Sequence, residues 1–297
     1  MSKKRVQEDS DSDIDLSSTD EELEQPQVQT NDEEPEIVDV DFDFFDFNPE
    51  IDFHSVKNFI RQLFGDDNVD IELSALTELL LEEGHVGTTV KTDGKGGDPF
   101  SILSVLNLTK NLKQTAVSKL VDYILAKTSK STEFNIMLRQ LLKQNSKYKT
   151  GLIFSERLIN MPVETVPPMY KMLLEEMEKS EDSHEEYELD YFIVVSKVYQ
   201  LVASEADKLL DDSNKRKKTK TSDSSKKEMD YFHYEDTVLE ENSTNYGYFN
   251  YNRKVQESDA RRVFTDYGIE PKMSLILLTK AQLSKAIAEM VKQFPPF

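Results

Sequence analysis

From residue 37 the chain alternates large apolar residues with aspartates, IVDVDFDFFDF. Val38, Val40, Phe42 and Phe44 share one phase of a period of two, and Asp39, Asp41 and Asp43 share the other. The pattern predicts a strand with one apolar and one acidic face. The period then changes. In NPEIDFHSVKNFIRQLFGDD apolar residues recur at Val56, Phe59, Ile60, Leu63 and Phe64, predicting a helix with Asp52 at its N-cap and Gly65 at its end. A second helix is predicted over IELSALTELLLEEG, closing at Gly84, followed by strands at VGTTVKT and SILSVLNL joined by a glycine-rich loop. Leu112, Ala116, Val117, Leu120, Val121, Ile124 and Leu125 have helical spacing, as do Leu138, Leu141 and Leu142 in STEFNIMLRQLLKQ.

GLIFSERLIN reads as a strand, VETVPPMYKMLLEEMEK as a helix whose first turn accepts its prolines, and the β-branched run EYELDYFIVVSKVYQLV as a central strand. Two low-complexity stretches, 178–186 and 211–228, lack the residues to pack a core and are expected to be flexible surface insertions. MDYFHYEDTVLEE and TNYGYFNYN are expected to form two antiparallel strands around a turn at Glu241 to Thr244. MSLILLT predicts a buried strand, and Leu283, Ile287, Met290, Val291 and Phe294 mark the apolar stripe of a terminal helix. Strands and helices alternate irregularly, so the expected fold is α/β, a mixed sheet flanked by helices in a single domain over 37–297.

Charge adds a second theme. The 297 residues include 57 acidic and 36 basic ones, a net charge of −21, which disfavours broad contact with nucleic acid or an anionic membrane and favours basic partners. Of those acidic residues 18 fall in the first 50 positions, with only three basic residues beside them. Residues 1–36 hold almost no large apolar side chains and are expected to be a disordered acidic tail. Within it Ser10, Ser12, Ser17, Ser18 and Thr19 each stand three residues before an acidic one, the pattern of an acidophilic kinase site, where phosphorylation would deepen the existing charge. A purely solubilising tail accounts for the composition equally well. The absence of cysteine rules out a disulfide framework and points to a reducing compartment. MSKKRVQEDSDSD has no apolar core of a signal peptide, and the expectation is a soluble intracellular protein.

Little in the chain points to catalysis. Lys91 to Gly97, KTDGKGG, approximates a pyrophosphate-cradling loop, but a strand pattern follows it where that mechanism needs a helix N-terminus, and Asp93 and Asp98 would repel phosphate; a connecting turn is the simpler reading. His54, His85, His184 and His233 stand apart, without metal-ligand spacing. No nucleophile elbow or kinase signature occurs. Lys215, Arg216, Lys217, Lys218 and Lys220 form a basic cluster suited to a nuclear-import receptor; a plain surface run and an internal partner for the acidic tail are the alternatives. Tyr231, Phe232, Tyr234, Tyr246, Tyr248, Phe249 and Tyr251 crowd one region and are expected to pack the sheet or line a protein interface. Asp39, Asp41 and Asp43 have two accounts of equal standing: charge that guards a strand edge, or part of a surface for a basic client.

At VDFDFFDFNPEIDFHSVKNFIRQLFGDD, residues 40–67, and again at VGTTVKTDG and DPFSILSVLNL, the chain resembles the BCCIP family; the likeness continues more loosely through DYFIVVSKVYQLV and MSLILLT. The resemblance implies a nuclear protein that shuttles to the cytoplasm and acts in ribosome biogenesis and nuclear export. A fungal-type member would chaperone a basic large-subunit ribosomal protein, the one numbered twenty-three in the older eukaryotic nomenclature; nuclear import and export receptors are further expected partners, and a monomer is expected although no residue pattern fixes the oligomeric state. It also implies a fold similar to the N-acetyltransferase (GNAT-like) domain, without evident acetyltransferase activity and with no cofactor. Acetyltransferases of that class hold acetyl-CoA with a Gln/Arg-x-x-Gly-x-Gly/Ala loop leading into a helix; the nearest residues here, Lys91, Gly94 and Gly96, depart from it by a lysine at the first position and by the strand pattern that comes after them. The rival functions are an acetyl-CoA-dependent enzyme and a scaffold for cell-cycle or DNA-repair proteins.

Overall fold

The computed structural model describes residues 40–82, 85–184, 187–202, 229–252 and 268–296. Among them eight strands form one mixed sheet: β1 (Asp43–Asp46), β2 (Gly87–Lys91), β3 (Ser101–Asn107), β4 (Thr150–Arg157), β5 (Tyr191–Leu201), β6 (Met229–Tyr231), β7 (Asn245–Phe249) and β8 (Ile269–Thr279). Their order is β1-β2-β3-β4-β5-β8-β7, with β6 added to β5. Every pairing is antiparallel except that of β4 with β5. The expected mixed α/β architecture is therefore the one found.

Helices cover both faces. On one face α1 (Pro49–Phe64), α2 (Leu73–Leu80), α3 (Leu108–Asn111), α4 (Thr115–Lys127) and α5 (Thr132–Leu141) pack on Ile102, Leu106, Leu152, Ile193, Leu275 and Leu277. On the other, α6 (Val166–His184), α7 (Glu235–Glu241) and α8 (Lys280–Gln293) pack on Leu103, Val105, Ile153, Phe192, Ile276 and Leu278. Successive residues of one strand thus enter opposite cores, which is why β5 and β8 read as nearly unbroken apolar runs.

Helix α1 starts where Asn48 accepts a hydrogen bond from the Glu50 N–H at 3.1 Å, with Pro49 at the first helical position. Asp52 is therefore not the N-cap. It faces inward, fully buried, where its carboxylate accepts from the Asn48 N–H at 2.8 Å and from Lys91 Nζ at 2.6 Å. Val56, Phe59, Ile60, Leu63 and Phe64 are buried as their spacing predicts. Gly65 ends the helix at φ +51°, and the Tyr251 ring lies 2.8 Å from where its Cβ would stand, so any other residue would be both strained and crowded. A second buried ion pair joins Lys127 to Asp67, whose carboxylate also accepts from the Tyr123 hydroxyl at 2.9 Å and the Asn252 N–H at 2.8 Å.

Several expectations need correction. Strand β1 begins at Asp43, and Val40, placed by the alternation on the buried face, is 51% exposed. Phe42 and Phe44 do pack against the α6/α8 core, partly buried; Val38 and Asp39 lie outside the described residues. Helix α2 stops at Leu80, short of Gly84, which also lies outside them. The helix read from Leu112 starts at Thr115, after the short α3. Helix α6 runs on to His184, through most of the stretch 178–186. The two-stranded pair around 241–244 is not formed. Met229–Tyr231 joins β5, Asn245–Phe249 joins β8, and the residues between them fold as α7. The aromatic alternation ends at His233; beyond it Val238 and Leu239 are both buried in the α6/α8 core, as adjacent residues of one helix can be, while Glu235 and Asp236 occupy the first turn, where carboxylates suit the helix dipole.

The parallel pairing of β4 with β5 is brief. It runs from Thr150 opposite Tyr191 to Ile153 opposite Val194 and then stops. Farther along the same edge of β5, Val198, Tyr199 and Gln200 pair instead with Tyr231, Asp230 and Met229 of β6. The strands diverge, and β6 occupies the opening.

Because Asp52 and Lys91 are sealed from water, Lys91→Met should leave an uncompensated carboxylate and cost about 3 to 5 kcal/mol in urea unfolding. The double replacement Asp52→Leu with Lys91→Met should recover a large part of that loss, since a matched apolar pair carries no desolvation penalty.

Candidate functional site

Two places concentrate charge. The first is the sheet edge at β1. Asp41, Asp43 and Asp46 are exposed along it, while Phe42 and Phe44 turn toward α6. Between this strand and the start of α6 runs a groove of about 400 Å³, lined by Val40, Phe42, Phe44 and Pro168 with Asp41 and Glu164 among its walls; Pro296, beyond α8, closes one side. Lower on α6, Glu176 accepts from the Gly87 N–H at 3.0 Å and Thr88 Oγ1 at 3.4 Å, tying the helix to β2. Burial, with a smaller contribution from Asp46, holds the Glu176 carboxyl above the usual carboxylate range. Asp41 and Asp43 are thus brought together on one accessible edge. Asp39, the basic cluster Lys215, Arg216, Lys217, Lys218 and Lys220, and the kinase-type positions Ser10, Ser12, Ser17, Ser18 and Thr19 lie outside the described residues.

The 91–97 loop is the turn of a hairpin between antiparallel β2 and β3, with Gly97 N–H bonded to Gly94 O at 3.1 Å and Phe100 N–H to Val90 O at 2.7 Å. Lys91 is fully buried, its ammonium held by Asp52 and by the Lys95 carbonyl at 3.1 Å. Strand β3 follows directly, so no helix N-terminus aims at the loop. These residues do not fit an acetyl-CoA pyrophosphate: Lys91 is engaged inside the core, the exposed Lys95 stands between the exposed carboxylates of Asp93 and Asp98, and the electropositive backbone of a helix start is missing.

The second place is the wedge where β4 leaves β5, a buried cluster that sequence spacing did not single out. Glu156 contacts Lys197 across the gap and lies 3.2 Å from His233 Nε2. Arg157 makes a bidentate pair with Glu235, at 2.7 and 3.0 Å, and donates to the Met161 carbonyl at 2.8 Å. Ser196 donates to Asp236. Glu156, Arg157, His233, Glu235 and Asp236 are all buried. The charged SER of β4 within an apolar strand, and the HYED of the α7 turn, were the available signals; their partners stand 40 to 78 positions away in the chain and only the fold joins them. Burial first, and then Glu235, push the Asp236 carboxyl up to about 7, with His233 and the Ser196 hydroxyl opposing. The geometry is that of a staple for the diverging strands.

The remaining aromatics divide. Tyr231 and Tyr248 hydroxyls converge on Glu240, Tyr248 at 2.7 and 2.9 Å, and Phe249 is buried, whereas Tyr234 and Tyr246 are exposed. His85 bridges Ser104 at 2.9 Å and Tyr187 at 3.1 Å, and His54 meets the Phe53 ring edge-on. Among the described residues no group of three His, Asp or Glu is placed to hold a metal ion.

An aspartate whose folded pKa is raised stabilises the fold fully below its unfolded pKa of about 3.9 and loses that contribution as pH climbs through about 7. The gain in urea midpoint from Asp236→Asn over wild type should therefore be larger at neutral pH than in mild acid. A gain independent of pH over that window would contradict the assignment.

Comparison with known proteins agrees with this architecture. A sequence model of the BCCIP family matches residues 37–239. The chain is 54% identical to Protein BCP1 of Debaryomyces hansenii over 262 residues, 85% of each chain, and 38% identical to Protein bcp1 of Schizosaccharomyces pombe over 249 residues, 83% of this chain and 87% of that one. The crystal structure of BCP1 from Saccharomyces cerevisiae superposes with a TM-score of 0.60 at 32% identity, covering 90% of this chain and 93% of that one. With the family model spanning more than half the chain and relatives this similar over most of their length, the protein belongs to the BCCIP family.

Proposed function

We propose that this protein is a nuclear chaperone and export adaptor that shuttles to the cytoplasm with a basic client, a large-subunit ribosomal protein, the one numbered twenty-three in the older eukaryotic nomenclature, and so supports assembly of the large ribosomal subunit. The observation that carries the reading is the placement of acid: 18 of 57 carboxylates precede residue 51, leading directly into an exposed sheet edge that bears Asp41 and Asp43. A ribosomal protein off the ribosome carries cations meant for rRNA phosphates, and carboxylates compete for them while the partner is in transit. The N-terminal segment supplies charge, and the folded edge supplies selectivity through shape. The cluster Lys215 to Lys220 serves the import receptor, and a separate receptor serves export.

On this reading the mixed sheet and its flanking helices work as a binder without cofactor. The engagement of Lys91 by Asp52 supports that over the enzymatic alternative.

Co-expression with the basic ribosomal protein should yield a soluble complex of one copy each at about 0.15 M salt that dissociates as salt rises. A chain beginning at residue 37 should bind more weakly and with a shallower salt dependence, because fewer carboxylates take part. Absence of any complex with the full chain at about 0.15 M salt would end the proposal.

A further inference from the structure

The edge of β1 carries more than charge. It is the last strand on its side of the sheet, and among the described residues no strand pairs with its outer edge. An unpaired edge presents backbone donors and acceptors to any extended chain. Alongside it lies the groove floored by Phe42, Phe44 and Pro168 and rimmed by Asp41 and Glu164, with Val40 half exposed at one end. Backbone pairing, an apolar channel and carboxylates therefore occur side by side on one strip.

We propose that this strip is a docking site for an extended segment of a basic partner protein, added to the sheet beside β1 with apolar side chains in the groove, alternating Lys or Arg side chains against Asp41 and Asp43 on the other face, and a flanking cation against Glu164 on the groove rim. The proposal rests on the chaperone reading and narrows it from an acidic surface to one edge. Charge selects the occupant. Residues 1–39 contain 14 carboxylates and three cations, so the chain's own N-terminal segment would set like charge against the rim. A second copy paired edge to edge would oppose its Asp41, Asp43 and Asp46 to the same residues. Nucleic acid shares the sign of the rim and has no strand to add.

The test uses the full-length protein at about 0.15 M salt and a fluorescently labelled peptide in which lysine and valine alternate, beside a peptide of the same composition with its lysines grouped at one end. The alternating peptide should bind about tenfold more tightly than the grouped one, and about tenfold more tightly than it binds Asp41→Lys/Asp43→Lys/Glu164→Lys, a variant altered only at exposed or half-exposed side chains. It should also slow amide exchange within residues 41–46. Equal binding of the two peptides, undiminished binding by the variant, or slowed exchange confined to residues 1–39 would each overturn the proposal. The basic ribosomal protein separates this inference from the reading beneath it. If the client binds wild type and variant alike, the docking site is wrong and the chaperone reading survives. If the alternating peptide docks as expected while the client fails to bind wild type, the docking site stands and the chaperone reading falls.

Discussion

Strand β5 is paired along its entire length with β8 on one side, and on the other it is shared between β4 and β6. The rest of the molecule is arranged around that division. Because β4 leaves β5 after Ile153, the strands open a wedge that apolar side chains alone do not fill. Polar groups buried there have to satisfy one another, since an unpaired charge in such a place is costly. Glu156 with Lys197 and Arg157 with Glu235 pair their charges, leaving Glu156 Oε2 and His233 Nδ1 without a hydrogen-bond partner among the described residues, and they draw in the turn that carries β6 into α7. The wedge thereby fixes the C-terminal third of the sheet to the middle of the chain.

The same matching of charge separates inside from outside. Asp52, Asp67 and Glu235 are each matched to a buried or nearly buried Lys or Arg. The interior is close to balanced, and the excess that makes the chain −21 is left to the surface and the N-terminal segment. Lys91 illustrates the consequence for function. By sequence it is the most plausible phosphate ligand in the chain; in the fold it is a core residue. An acidic protein that keeps its few well-placed cations inside has little with which to hold an anionic cofactor and much with which to hold a cationic protein.

Much of the fold was legible because burial on two faces imposes strong patterns. The apolar runs of β5 and β8, and the helical spacing in α1, α4 and α8, survive translation into structure with only their ends displaced. What sequence reading lost were features whose cause is nonlocal. The capping role assigned to Asp52 failed because a carboxylate near a helix start has two uses, and the distant Lys91 decides between them. The segment 229–241 read as continuous β structure because aromatic alternation at Tyr231 and His233 masked a helix held by Val238 and Leu239. The acidic edge was visible as composition, whereas the groove beside it needs α6 and the end of α8, brought there from more than a hundred residues away.

The split partnership of β5 also orders events in time. Strands β1 to β4 follow the chain in sequence, each antiparallel to the one before, and their pairing can begin on a growing polypeptide. Strand β5 cannot be completed until residues 229–231 and 269–279 have emerged. From residue 201 until residue 279 has been added, then, the nascent protein carries one of its most hydrophobic strands with an open side, and its final eighth is what closes the sheet. A protein proposed to shelter newly made clients has a long exposed interval in its own making.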